Sequence, residues 1–90
     1  MLFALICSDR PGATDIRKQN RDAHLAYIEE TGVVTQAGPF LDAGGEMVGS
    51  LVVIDVDTRA DAEDWAAGDP YARAGLFEKV EIRAWRKVIG

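Results

Sequence analysis

The stretch SLVVIDVD at residues 50–57 carries apolar side chains at consecutive positions, and it limits the possible folds more than any other feature. Successive side chains of a β-strand point to opposite faces of the sheet, so this strand presents apolar groups to both faces. A chain of 90 residues has few other elements to cover them. We therefore expect helices on one face of the sheet and a second copy of the chain on the other, which makes a homodimer.

The first third of the chain predicts a strand followed by a helix. LFALIC (2–7) is a short apolar run typical of a strand buried on both faces, and SDRPG ends it with a turn. From an N-cap at Thr14, apolar side chains recur at three- and four-residue steps, which predicts a helix over 15–31. Gly32 is expected to end this helix.

A β-hairpin is predicted next. VVTQAGPFL (33–41) reads as a second strand, with a bulge or a sheet edge at Gly38 and Pro39 because proline cannot donate to a strand ladder. The turn-rich residues 42–49 then lead into the strand at 50–57. These two strands are expected to pair antiparallel.

The last third predicts a helix, a connector and a final strand. Thr58 and Asp61 approximate a capping box that starts a helix, and Gly68 is expected to end it. DPYARAG (69–75) is a connector with room for one helical turn, and alternation in FEKVEIRAWRKV (77–88) predicts a strand. The resulting βαββαβ order is that of an α+β ferredoxin-like sandwich, here a single domain over 1–90.

Composition excludes several classes of function. The net charge of −5 and the pI of about 4.7 argue against binding to nucleic acid, which requires clustered Lys and Arg. No apolar stretch approaches the roughly 20 residues of a membrane span and no basic leader is present, so we expect a soluble, cytoplasmic protein. Cys7 is the only cysteine and is interpreted as a small buried apolar residue. With one histidine and one cysteine, no metal site is expected.

His24, the only histidine, is the first candidate for chemistry. At about 100° per residue, Arg17 lies about 20° and Arg21 about 60° from it around the helix, and all three border the apolar stripe. Two interpretations stay open. The ring satisfies a neighbouring carboxylate while the arginine heads reach water, or it is a proton-transfer group, since burying a polar ring without a partner is unfavourable.

Asp69 is the candidate carboxylate. It follows the expected helix end and precedes Pro70, where an extended or turn backbone can aim its side chain, although an Asp–Pro turn is also a common structural feature. The other helical carboxylates are expected on outer faces as solvated charge: Asp22, Glu29, Glu30, Asp61, Glu63 and Asp64. Phosphate-binding loops and dinucleotide fingerprints are missing.

These residues resemble a known family. Arg17, Arg21, His24 and Leu25, together with AGPF (37–40), GS (49–50), DPYARAGLF (69–77) and VEIRAW (80–85), resemble the YciI-related (YCII) family of small dimeric α+β barrel proteins across essentially the whole chain. The most specific part is the single helix histidine combined with the Asp–Pro element. The resemblance implies a ferredoxin-like protomer, a homodimer with facing sheets, and a His–Asp pair at His24 and Asp69.

The resemblance also suggests a chemistry. The fold is similar to that of muconolactone isomerases, and one type of family member is implicated in dehydrochlorination of a chlorinated hydroxyquinol. We therefore expect cofactor-free proton transfer, of lyase or isomerase type, on a small aromatic or enol-like acid, with His24 as base or acid oriented by Asp69. The predicted substrate-binding residues, for an anionic ligand, are Arg17, Arg21, Gly38, Pro39, Ser50 and Tyr71.

Two alternatives use the same barrel. The first is a non-catalytic module for small-ligand binding, in which the His–Asp pair only satisfies a buried polar site. The second is a cofactor-free monooxygenase, for which Trp65 and Trp85 are the only candidate residues and read more simply as packing residues.

Overall fold

The computed structural model describes all 90 residues and contains one four-stranded sheet with helices. Its elements are β1 (Leu2–Asp9), α1 (Thr14–Thr31), β2 (Val34–Leu41), β3 (Met47–Asp55), α2 (Arg59–Gly68), the four-residue α3 (Pro70–Arg73) and β4 (Phe77–Trp85). The strands pair antiparallel in the order β2-β3-β1-β4. The prediction of an α+β ferredoxin-like fold with βαββαβ order is therefore confirmed.

The core lies between one face of the sheet and the two long helices. In the register of β1 with β3, Phe3 is opposite Ile54 and Leu5 is opposite Val52, and all four side chains are buried. They pack with Ala62 and Trp65 of α2, and Tyr27 and Ile28 of α1 pack against the same cluster. Burial of a leucine-sized side chain stabilises the fold by about 1.5–3 kcal/mol. This contact holds α1 across the sheet and so positions the site described below.

The opposite face of the sheet is also largely apolar. There Ile6 pairs with Leu51 and Ala4 with Val53, and neither long helix packs against these residues. Phe40 and Trp85, at the margins of this face, are each 39% exposed. The inner strand β3 therefore carries apolar side chains on both of its faces, as its sequence predicts.

The helix ends differ from the predictions in two places. Thr14 is the first residue of α1 rather than its cap; the N-cap is Ala13, which makes no side-chain hydrogen bond to the helix. α2 ends at Gly68 itself, one residue later than predicted, and Asp69 is its C-cap. A Cβ at Gly68 would lie 2.6 Å from the hydroxyl oxygen of Tyr27. The glycine therefore permits close packing of α2 on α1. None of the helices combines the length and apolar character needed to span a membrane.

β2 and β3 also depart from the predicted details. β3 begins at Met47 rather than at residue 50, because the turn that precedes it is shorter than predicted. Gly38 and Pro39 pair in regular register with Leu51 and Ser50, and the irregularities lie at Val34/Gln36 and Phe40/Leu41. The expected bulge at Gly38 and Pro39 was therefore wrong. The expected edge was right, since β2 is an outer strand of the sheet and the missing N–H of Pro39 is tolerated there.

Candidate active site

A cavity of about 420 Å³ opens between α1 and the β2–β3 hairpin. This volume is typical of sites for small molecules. One wall is formed by residues of α1: Thr14, Arg17, Lys18, Arg21, His24, Leu25 and Ile28. The rest of the lining comes from the hairpin and α3: Ala37, Gly38, Pro39, Gly45, Glu46, Met47, Ser50, Val52 and Tyr71. Every predicted substrate-binding residue is among them, and so is His24.

A buried His–Asp pair lies at the wall of this cavity. Nδ1 of His24 is 2.7 Å from Oδ1 of Asp69, and the two side chains are only 8% and 4% exposed. Asp69 has extended backbone and is the N-cap of α3, where the same oxygen accepts a hydrogen bond from the backbone N–H of Tyr71 at 3.0 Å. Because an ionised carboxylate can only accept, the hydrogen between the two side chains belongs to Nδ1.

The second ring nitrogen of His24 faces the cavity. Nε2 forms no hydrogen bond within the chain. Every side-chain nitrogen or oxygen that is completely buried does have a hydrogen-bond partner, so Nε2 is not completely buried. Nε2 therefore retains contact with the cavity that His24 lines. With Nδ1 donating to Asp69, Nε2 carries the lone pair and can accept a proton from a bound molecule.

Tyr71 holds the histidine ring in place from one side. The two rings stack with their centroids 3.9 Å apart and an interplanar angle of 15°. Burial raises the pKa of the Tyr71 phenol above its ordinary value; Arg17 and Arg21 oppose this rise and Asp69 adds to it. The phenol therefore keeps its proton at neutral pH and is available as a hydrogen-bond donor.

Arg17 is buried and held by several partners. Its Nε and Nη2 donate to the two carboxylate oxygens of Asp9 at 2.8 and 2.9 Å, and Nη2 also donates to the Gly49 carbonyl and to Oγ of Ser50. Burial works against the charged guanidinium, but the hydrogen bonds and charge of Asp9, with smaller contributions from Tyr71, outweigh it, so the pKa of Arg17 is raised. Its Cζ lies 4.9 Å from the centre of the Tyr71 ring.

The predicted residues come together, but the two arginines differ. Asp69 lies behind His24 rather than on the cavity surface. One interpretation of the helix required the head of Arg17 to extend into solvent, whereas it is largely buried against Asp9 and reaches only the cavity. Arg21 is exposed at the cavity and forms no ion pair. The six helical carboxylates expected on outer faces are all exposed.

Asp9 is one of the site residues that the sequence does not single out. Its sequence context predicts a turn, whereas it is the last residue of β1 and its side chain is only 7% exposed. A signal was present, because Phe3, Leu5 and Cys7 face the helices at two-residue steps and Asp9 continues that series. A register irregularity between Ser8 and Asp9 interrupts the pairing with β4 at this point.

Cys7 lies close to the charges of Asp69, Asp9 and Arg17, but its thiol is not a reactive group. The side chain is 3% exposed and packs in the main core cluster. Burial, followed by the charges of Asp69 and Asp9, raises the pKa of the thiol to about 12. It is therefore protonated at neutral pH, in agreement with its interpretation as a packing residue. No group of three or more His, Cys, Asp or Glu side chains is placed to hold a metal ion.

Comparison with known proteins identifies relatives along nearly the whole chain. Protein YciI of Escherichia coli O6:H1 (strain CFT073) is 31% identical over 97 aligned residues, which cover 98% of this chain and 99% of that protein. An uncharacterized protein of Haemophilus influenzae is 29% identical over the same shares.

Solved structures show the same similarity. The 5-chloro-2-hydroxyhydroquinone dehydrochlorinase TftG of Burkholderia phenoliruptrix AC1100, in complex with 2,5-dihydroxybenzoquinone, superposes with a TM-score of 0.88 at 33% identity over 96% of this chain and 94% of that chain. An antibiotic biosynthesis monooxygenase, 14% identical with a TM-score of 0.60, shares the fold. Residues 1–86 match the model of the YCII-related domain. The chain therefore belongs to the YCII-related family.

Proposed function

We propose that this protein is an enzyme that transfers a proton on a small, anionic, enol-like or hydroxylated aromatic molecule, in a reaction of lyase or isomerase type. One observation carries the proposal. A buried carboxylate, Asp69, holds Nδ1 of the only histidine at 2.7 Å, while Nε2 remains available to the cavity. This is the arrangement in which a histidine acts as a general base and then returns the proton as a general acid.

The similarity to TftG supports the choice of substrate class. That protein is a dehydrochlorinase and its structure holds 2,5-dihydroxybenzoquinone, a planar hydroxylated ring. Loss of HCl from such a ring requires a group that accepts the proton. The positive side chains at the cavity of this chain, Arg17, Lys18 and Arg21, favour a ligand with ionised oxygens.

The proposed reaction starts with proton abstraction. Nε2 of His24 takes a proton from a carbon next to a carbonyl, and the electron pair of the broken C–H bond moves to the carbonyl oxygen as an enolate. Asp69 stabilises the imidazolium that forms. When the enolate collapses, return of the proton to another carbon completes an isomerisation, whereas departure of chloride completes an elimination and leaves the proton on the histidine for release to water.

A second candidate is a non-catalytic module that binds a small ligand in the same cavity. The observation in its favour is that Asp69 also caps α3 and ties it to α1 through His24. A carboxylate with this role stabilises the fold whether or not the histidine ever transfers a proton.

Hydrogen exchange separates the two candidates. The protein is incubated in D₂O with 2,5-dihydroxybenzoquinone or with chlorinated hydroxyhydroquinones, and ring protons and chloride release are followed by proton NMR and ion chromatography. We expect wild type to exchange a ring proton or release chloride, and His24→Gln to slow this by about 10²- to 10⁴-fold because the base is removed.

The control for this experiment is Asp22→Asn, a change on the exposed face of the same helix. It should match wild type. Binding seen as shifts of the single histidine's signals, with no exchange or elimination for any compound of this class, would favour the binding module and contradict the enzyme.

We also propose that the protein is a homodimer with the apolar sheet faces in contact. Ile6 and Leu51 lie side by side on the face that no helix covers, and Phe40 and Trp85 at its margins are each 39% exposed. Sedimentation equilibrium at micromolar concentration should give twice the chain mass of 9.8 kDa. Leu51→Lys should shift the mass to that of the monomer, because it places a charge in the interface.

The matched control is Glu63→Lys, which adds the same side chain at an exposed position of α2. It should stay dimeric. A wild-type chain that sediments as a folded monomer would refute the dimer.

A further inference from the structure

We propose that the Nη1 group of Arg17 and the hydroxyl of Tyr71 form a fixed oxyanion-binding site, which holds the ionised oxygen of the ligand beside His24. This inference rests on the proposed function and deepens it. It assigns the two residues a shared role that differs from that of Arg21, and it makes Asp9 the residue that positions Arg17.

The first observation is the incomplete hydrogen bonding of Arg17. Its Nε and Nη2 make every hydrogen bond of standard geometry that the guanidinium forms within the chain, and the guanidinium has a weaker contact with the Tyr71 hydroxyl. Nη1 makes none, although the side chain is only 7% exposed. Every completely buried side-chain nitrogen or oxygen has a hydrogen-bond partner, so Nη1 is not completely buried. It is therefore accessible from the cavity that Arg17 lines. At least one N–H donor of a largely buried cation is therefore free to bind a ligand.

The second observation is that Tyr71 offers a donor next to this group. Its ring centre is 4.9 Å from Cζ of Arg17 and 3.9 Å from the centre of the His24 ring. The Arg17 guanidinium interacts with the hydroxyl oxygen as a hydrogen-bond donor and lowers the pKa of the phenol. Because a guanidinium cannot accept, the O–H hydrogen of Tyr71 is left to be donated to a ligand. Arg17 and Tyr71 thus present N–H and O–H donors within reach of one ligand oxygen.

The third observation is that Asp9 fixes the position of the cation. The bidentate contacts at 2.8 and 2.9 Å, with the bonds to Gly49 and Ser50, leave the guanidinium no rotational freedom. Donors that are already oriented stabilise developing negative charge without reorganisation during the reaction. Arg21 differs, because it is exposed, forms no ion pair and attracts anions through a charge that salt screens.

The test is calorimetric binding of 2,5-dihydroxybenzoquinone, whose acidic hydroxyl groups ionise at neutral pH, in 0.05 and roughly 0.5 M salt. Tyr71→Phe keeps the ring stack and removes only the hydroxyl. We expect binding about 10- to 100-fold weaker at both salt concentrations, because a hydrogen bond to a charged oxygen is lost in a buried place. Arg21→Gln should weaken binding at low salt only.

Tyr27→Phe is the matched control, since Tyr27 donates to the Trp65 carbonyl and does not line the cavity. It should bind within about twofold of wild type. A second measurement needs no variant: absorbance should show that the bound ligand stays ionised at lower pH than the free ligand.

Each outcome decides the proposal. It is overturned if wild type does not bind the ligand at millimolar concentration, if Tyr71→Phe binds as wild type does, or if the bound ligand ionises as it does free. Tight binding that depends on Tyr71, without proton exchange, supports the oxyanion site and contradicts the proposed enzyme. Proton exchange that depends on His24, with binding by Tyr71→Phe unchanged, supports the proposed enzyme and contradicts the oxyanion site.

Discussion

Replacement of Asp69 by asparagine is expected to slow proton transfer by about 10³- to 10⁴-fold while the fold stays intact. The carboxylate accepts from Nδ1 of His24 at 2.7 Å and so keeps the lone pair on Nε2, which faces the cavity. An asparagine amide can donate to Nδ1 instead, which moves the hydrogen to Nε2 and removes the base. Because Oδ1 of Asp69 also accepts from the Tyr71 N–H, an asparagine that turns its amide nitrogen toward Nδ1 gives up that hydrogen bond. An asparagine that keeps its oxygen there retains the tautomer but removes the negative charge that stabilises the imidazolium, so the reaction slows in either orientation. Asparagine is also a good helix N-cap, so α3 should persist.

The measurement combines the exchange rate with nitrogen NMR of the ring. The chain has one histidine, so the two ring-nitrogen signals are unambiguous and report the tautomer directly. Asp64→Asn, on the exposed face of α2, is the control and should match wild type in both readouts. An Asp69→Asn protein with unchanged rate and unchanged ring-nitrogen shifts would show that the pair has no role in proton transfer.

Local patterns were sufficient to predict most of the fold. The two-residue alternation around Val80 and Ile82 predicted a strand correctly, although Val80 is 38% exposed. The three- and four-residue steps around His24 predicted a helix and its buried side, and both were confirmed. Element ends were less predictable, because they depend on distant contacts. Gly68 lies at the end of α2 as predicted to within one residue, but the sequence does not predict that its lack of a side chain makes room for Tyr27 of another helix.

The candidate site was likewise predictable from local sequence patterns only in part. Arg17 and His24 could be placed on one side of a helix from spacing alone, because two turns separate them. The contact of His24 with Asp69 joins residues 45 positions apart, so it followed from the family resemblance and not from local pattern. Asp9 continues the buried series of β1, but the turn residues in SDRPG favour a strand that ends before it, and its partner Arg17 lies on α1, which no local pattern reveals.

Removal of the Asp9 side chain is expected to destabilise this protein strongly. Asp9 and Arg17 are each only 7% exposed, and Asp9→Ala leaves the guanidinium buried with its charge uncompensated. Loss of one partner of a buried pair typically lowers the free energy of unfolding by about 3–5 kcal/mol. A domain of this size has roughly 5–13 kcal/mol in total, so urea unfolding at fixed protein concentration should show a large shift of the midpoint.

The chain supplies its own comparison, because the N-terminal amine of Met1 pairs with Asp55 at 3.0 Å with both groups 62% exposed. Asp55→Ala should therefore lower stability by less than about 1 kcal/mol. The double variant Asp9→Leu, Arg17→Met should recover most of the loss caused by Asp9→Ala, since two apolar side chains leave no buried charge behind. If Asp9→Ala and Asp55→Ala unfold at the same urea concentration, the buried pair contributes no more than an exposed one, and the account of Arg17 as a cation locked by Asp9 fails.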